Sequence, residues 1–87
     1  MEFALEQNYP NPFNPATTIE YRTSTAGIAT LTVFDILGRE VASLVNRVLP
    51  AGIHRARLDG SALPSGVYFV RLEAGGKSGT RKIMLVK

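Results

Sequence analysis

The stretch Leu63-Pro64-Ser65-Gly66-Val67-Tyr68-Phe69-Val70-Arg71-Leu72 decides the fold class. Pro64 and Gly66 break the chain, and beyond them Tyr68, Val70 and Leu72 fall on one face of an alternating segment. A repeat of two is that of a half-buried strand. Leu, then Pro and Gly, then Tyr at the start of a strand is the pattern of a tyrosine corner, in which the phenol bonds back to backbone a few residues upstream. After a Gly75-Gly76 turn comes a last strand, Arg81-Lys82-Ile83-Met84-Leu85-Val86-Lys87, expected to run to the final residue. Domain termini are commonly loose. A strand that must pair and also carries the free carboxylate is suited to serve as an address.

Upstream the same reading recurs. Thr17 to Arg22 places Ile19 and Tyr21 together, and Ile28 to Ile36 sets Ala29, Leu31 and Val33 opposite Thr30, Thr32 and Phe34. Leu37-Gly38-Arg39 turns the chain, Glu40 to Leu49 continues extended, and Pro50-Ala51-Gly52 turns it again. His54, Ala56 and Leu58 then share a face against Arg55 and Arg57, and Asp59-Gly60-Ser61 is a further turn. Alternating strands with turn signals about every 8–12 residues mark an antiparallel sandwich. The expectation is all-β, with seven or eight strands and Leu31, Val33, Leu58, Tyr68, Val70 and Leu72 in the core. One rival is a helix over Arg39 to Asn46, where Val41, Leu44 and Val45 also fit helical spacing. Short length and β-branched content favour a strand there.

The opening is different. Asn8-Tyr9-Pro10-Asn11-Pro12-Phe13-Asn14-Pro15 holds three prolines within six residues. Each proline removes a donor and pushes its predecessor to extended geometry, so neither a helix nor a central strand can run through. The reading is a single domain over residues 1–87, with 1–16 a proline-rich entry segment or linker and 17–87 the sandwich. Tyr9 and Phe13 are expected to pin the entry loop to the sandwich.

At 87 residues with no cysteine, the chain has neither disulfides nor thiolate metal sites. So small a domain buries roughly 60–65% of its unfolded surface, which makes its stability modest. A chain free of cysteine also suits passage through an oxidising compartment. The net charge of +3 is mildly basic, with Lys77, Arg81, Lys82 and Lys87 crowding the end. Solvated lysines that discourage edge pairing account for that cluster better than nucleic acid, anionic lipid or an acidic protein does. No apolar run approaches the ~20 residues of a membrane span. The start lacks the charged and apolar regions of a signal peptide, so a secreted form is expected to carry its export signal upstream.

Apparent chemical motifs dissolve. Gly76-Lys77-Ser78 has the end of a phosphate loop, but Arg71 stands where its first glycine belongs and a strand follows instead of a helix. The only histidine, His54, shares a face with Ala56 and Leu58 and reads as a rim residue. Asp35, Asp59 and Glu73 are scattered beside turns and strand ends, where Asp commonly bonds its own backbone. They form neither an acid/base pair nor a calcium loop. No catalytic residue, metal site or cofactor is expected.

Four separated stretches carry a family resemblance: Leu5 to Ile19, Val33 to Val41, Leu63 to Phe69, and the Lys82 to Lys87 ending. Together they resemble the type A C-terminal sorting domain of the Bacteroidetes type IX secretion system, over nearly the whole chain from Phe3 to Lys87. The resemblance implies an immunoglobulin-like sandwich at the C-terminus of a secreted enzyme or adhesin. It implies a domain that directs cargo through an outer-membrane translocon, read by a translocon or shuttle protein and removed at the cell surface by a sortase-like protease. It also implies cargo that is often joined to anionic lipopolysaccharide. The family's Pro-x-Gly-x-Tyr element falls on Pro64, Gly66 and Tyr68, and its lysine-bearing last strand on Lys82 and Lys87. These five are the candidate sorting-signal residues. Leu58 stands where many relatives carry Trp, and Phe34 where many have Tyr. The runner-up is an accessory immunoglobulin-like module of a secreted hydrolase, binding carbohydrate or spacing a catalytic domain. Against it, the chain has no Trp, and Tyr21 and Tyr68 are claimed by the core. Neither a nucleic-acid partner nor an integral membrane segment is expected, whereas weak self-association through an edge strand is.

Overall fold

Alternation makes each strand one-sided, and seven strands bury their apolar sides against one another in the computed structural model, which describes residues 2–87. They are β1 (Ala4–Leu5), β2 (Ala16–Thr23), β3 (Gly27–Phe34), β4 (Glu40–Leu49), β5 (Gly52–Asp59), β6 (Gly66–Ala74) and β7 (Lys77–Leu85). Three form one sheet, ordered β1-β2-β5, and four the other, ordered β4-β3-β6-β7. Every pairing between neighbours is antiparallel. The β3–β4 and β6–β7 links are hairpins, whereas β2–β3, β4–β5 and β5–β6 cross between sheets. The result is a three-on-four immunoglobulin-like sandwich.

The core lies between the sheets. Leu31, Val33, Val70 and Leu72 are wholly buried on the four-stranded side and face Ile19, Tyr21 and Leu58 on the other. All six expected core residues, Tyr68 included, are buried. The helical alternative for Arg39 to Asn46 fails, and its spacing has a local cause. The β3–β4 register passes from Leu31↔Val45 to Thr32↔Ser43 and from Val33↔Ala42 to Phe34↔Glu40, leaving Leu44 and Val41 unopposed. An extra residue at each bulge lets successive side chains share one side. Val41, Leu44 and Val45 therefore all reach the core from a strand.

Two boundaries differ from expectation. Asp35 and Ile36 leave β3 and enter the turn, and β7 begins at Lys77 and stops at Leu85, so Val86 and Lys87 lie beyond it.

The opening segment binds both sheets. Leu5 pairs with Tyr21, and Tyr9 and Thr18 exchange two backbone hydrogen bonds of 3.0 Å on the three-stranded side. Buried Asn8 donates to the Pro10 carbonyl and to Thr17 Oγ1, both at 3.1 Å, which supplies the partners that the prolines cannot. The chain then crosses the open side of the sandwich, and Phe13 forms a parallel bridge with Leu85 of the other sheet. Of the two aromatics expected to pin this loop, only Phe13 does so, at 1% exposure. Tyr9 is 82% exposed and is held by its backbone alone. Gly60 makes the Phe13 seat possible. A Cβ there would stand 3.0 Å from Leu85 Cδ2, 3.1 Å from the Pro15 carbonyl and 3.2 Å from Phe13 Cε2.

Replacing Leu72 by Ala is expected to cost about 2–5 kcal/mol, a large share of the stability of a domain this size. Urea denaturation followed by circular dichroism checks it, and a loss under about 1 kcal/mol would contradict the packing described.

Candidate functional site

Four of the five candidate residues meet at one pole of the sandwich. Strand β6 starts there, and Tyr68 turns its buried ring back so that its hydroxyl donates to the Pro64 carbonyl at 2.5 Å. This closes the expected tyrosine corner. Gly66 sits between them with φ at +153°, a backbone conformation that residues with a Cβ avoid. Lys87 reaches the same loop twice: its backbone N–H donates to Ser65 Oγ at 3.0 Å and its Nζ to the Ser61 carbonyl at 2.6 Å. Lys82 is the exception. It lies opposite Phe69 on the outer face of the four-stranded sheet, exposed, and roughly 16 Å from Lys87 along extended chain.

The corner forms one wall of an apolar groove of about 440 Å³, lined by Leu63, Pro64, Val67, Ile36, Leu37 and Val41. The other wall is the β3–β4 turn, which one carboxylate fixes. Asp35 Oδ1 accepts from the Leu37 and Arg39 backbone N–H groups at 2.9 and 3.0 Å, and Oδ2 accepts from Arg39 Nε at 2.9 Å. These bonds, the Arg39 amide foremost, hold the Asp35 carboxyl below its usual range. Asp59 does the same for the loop that receives Lys87. Its Oδ1 accepts from the Ser61 N–H at 2.9 Å, and that bond lowers its pKa. Both aspartates bond their own turns, as the sequence suggested.

The other polar residues singled out in the sequence make local contacts. His54 is half-buried, with Nε2 at 2.9 Å from the Pro50 carbonyl and its ring 5.4 Å from that of Tyr21. Burial pushes the Tyr21 phenol up. Glu73 approaches Arg71 at 3.6 Å, and Gly76-Lys77-Ser78 lies at the β6–β7 hairpin. Leu58 is buried, and the Arg71 guanidinium lies 4.7 Å from the centre of the Phe34 ring. Among the described residues no group of three or more His, Asp and Glu side chains is placed to hold a metal ion.

Sequence reasoning missed the residues that border the terminal strand. Gln7 Nε2 donates to the Lys82 carbonyl at 2.9 Å, and the Met84 N–H donates to Asn11 Oδ1 at 3.1 Å. The Phe13 N–H donates to the Met84 carbonyl at 2.9 Å, and the Val86 N–H to the Phe13 carbonyl at 3.0 Å. Arg81 Nε adds a bond to the Leu5 carbonyl at 2.8 Å. The outer-edge groups of the last strand are thus occupied at the Lys82 carbonyl, at both Met84 groups and at the Val86 N–H. The partners stand more than 70 residues apart in sequence, and no local pattern announces them.

A family model described as "Secretion system C-terminal sorting domain" matches residues 7–87. No curated protein matches the chain. The chain belongs to the type IX secretion C-terminal sorting domain family, a family of sorting signals and not of enzymes.

Tyr68→Phe removes one hydrogen bond and leaves the ring in place, so a loss of about 0.5–1.5 kcal/mol is expected in urea denaturation. The two aspartates predict a pH dependence. Their folded pKa values lie below the unfolded ones, so their contribution is complete above about pH 4 and fades as pH falls through the lowered folded values. Denaturation midpoints followed from neutral pH downward should drop in that acid range, and Asp35→Asn with Asp59→Asn should flatten the drop. An unchanged profile in the double variant would place the acid sensitivity elsewhere.

Proposed function

We propose, with membership of the sorting-domain family as premise, that this domain directs an upstream cargo protein through the type IX system to the cell surface and is then removed by a sortase-like protease. The convergence of Pro64, Gly66, Tyr68 and Lys87 on one ordered pole is the observation that carries the reading. A receptor for such a signal needs a fixed shape, and the serine-bearing loop holds Lys87 in one. The partners are a translocon or shuttle protein of the outer membrane and the surface protease. Lys82 and Lys87 give the signal a positive character that fits an acidic recognition surface. The precursor passes through the periplasm, and its cargo ends at the surface or outside the cell.

Fusion of residues 1–87 to a periplasmic reporter in a bacterium with a type IX system should deliver the reporter to the surface. Changing Lys82 and Lys87 together to Ser should leave the sandwich folded, because exposed charges contribute only about 0–1 kcal/mol. Surface delivery should fall, with the folded state checked by circular dichroism. Normal delivery by the folded double variant would confine the signal to the Pro64–Tyr68 corner and the fold, and failure of the unaltered fusion would overturn the sorting reading.

A further inference from the structure

An edge strand presents unpaired N–H and C=O groups that invite another strand. On β7 these groups are taken by a short piece of the same chain. From Phe3, whose ring lies 3.5 Å from the position a Cβ would take on Gly79, to Phe13 beside Leu85, the opening segment runs alongside β7 and in the same direction. Its hold is sparse. Pro10 and Pro12 have no N–H to give, and within Gln7–Phe13 direct backbone pairing to β7 is confined to Phe13, while Tyr9 pairs with Thr18 of β2. By contrast, β6 and β7 are in register over nine residue pairs. Removing the opening segment therefore leaves β7 fixed in its sheet with its outer edge bare.

We propose that Gln7–Phe13 is a displaceable strap, and that the surface beneath it accepts an extended peptide in trans. That peptide runs parallel to β7, carries an aromatic side chain into the Phe13 seat, and has an amide side chain two residues before it. The bare edge offers the Lys82 carbonyl, both backbone groups of Met84 and the Val86 N–H, the alternating set used in β-augmentation. The seat beside Gly60 and Leu85 supplies specificity, because it covers an aromatic ring almost completely in the strapped form. The inference goes beyond the sorting reading and stands without it. Within that reading, the β7 backbone becomes accessible only when the strap has left, whereas the Lys82 side chain is exposed throughout.

The test uses the full chain and a fluorescent synthetic peptide with the sequence of Leu5 to Pro15. The peptide should bind the Phe13→Ala chain and not the unaltered one, and a peptide with Ala at the Phe13 position should bind neither. Hydrogen exchange read by NMR supplies the second arm. In a Gln7→Ala/Asn11→Ala chain the Met84 amide should exchange about tenfold faster. The Ile83 and Leu85 amides, which strand alternation turns toward β6, should be unchanged. Equal peptide binding by the unaltered chain, or no binding by a folded Phe13→Ala chain, overturns the proposal. So does a Met84 amide indifferent to the loss of Asn11. If Phe13→Ala does not fold, the exchange arm decides alone. No secretion system is involved, so failure here leaves the sorting reading untouched, and failure of reporter export leaves the strap untouched.

Discussion

Burial of the Phe13 ring across the open side of the sandwich is the contact on which the arrangement of the Pro64–Tyr68 pole depends. On that side the three-stranded sheet ends in a two-residue strand and the other sheet ends in β7, so neither edge is closed by its own sheet. Phe13 bridges them. Its ring is 1% exposed, and its backbone both donates to Met84 and accepts from Val86. Complete burial of such a side chain contributes about 1.5–3 kcal/mol, a substantial fraction for a domain of this size. The same seat constrains the β5–β6 crossover, because the Gly60 N–H donates to the Pro15 carbonyl at 2.7 Å and a Cβ on Gly60 would press on the ring. One aromatic side chain thus joins the opening segment, the crossover and the last residues.

The pole is rigid for reasons that are local and polar. The β3–β4 turn hangs on Asp35, the crossover loop on Asp59, and the start of β6 on the Tyr68 hydroxyl. Each device satisfies backbone groups that a turn would otherwise leave to solvent. Around them the surface is apolar: Ile36 and Leu37 are 71% and 72% exposed beside a groove walled by Leu63, Pro64 and Val67. The turn thus presents two large aliphatic residues while the Asp35 carboxylate holds its shape.

The part of this structure legible in the sequence is the part governed by local periodicity. Ile19 with Tyr21, Leu31 with Val33, and Tyr68 with Val70 and Leu72 could be assigned to one face because a strand repeats every two residues, and the tyrosine corner could be read because its partners are four residues apart. Val41, Leu44 and Val45 also fit helical spacing because two bulges interrupt that repeat, and a bulge has no composition of its own. Tyr9 and Phe13 were indistinguishable, both aromatic and both flanked by prolines. What separates them is a vacancy beside Gly60 that only the folded crossover creates. The bonds from Gln7 and Asn11 to β7 were out of reach for the same reason: amide side chains do not reveal which distant carbonyl or N–H they will meet.

The covering of β7 limits what the folded last strand presents to a partner. In the folded domain its inner edge belongs to β6, its outer edge from Lys82 to Val86 to the opening segment, and its inward side chains Ile83 and Leu85 to the core. What remains for a receptor is the outward set: the Lys82 side chain, the 40% exposed Met84 and the 47% exposed Val86. A receptor for the folded form therefore reads side chains together with the pole beside them. A receptor that reads backbone requires a chain whose opening segment has left or one not yet folded. The remaining edge of this sheet offers no easy substitute, because β4 is bulged at two places and a bulged edge disfavours strand addition. The Lys82 side chain is thus exposed in the folded domain, whereas the outer backbone edge of the last strand is covered there by the opening segment.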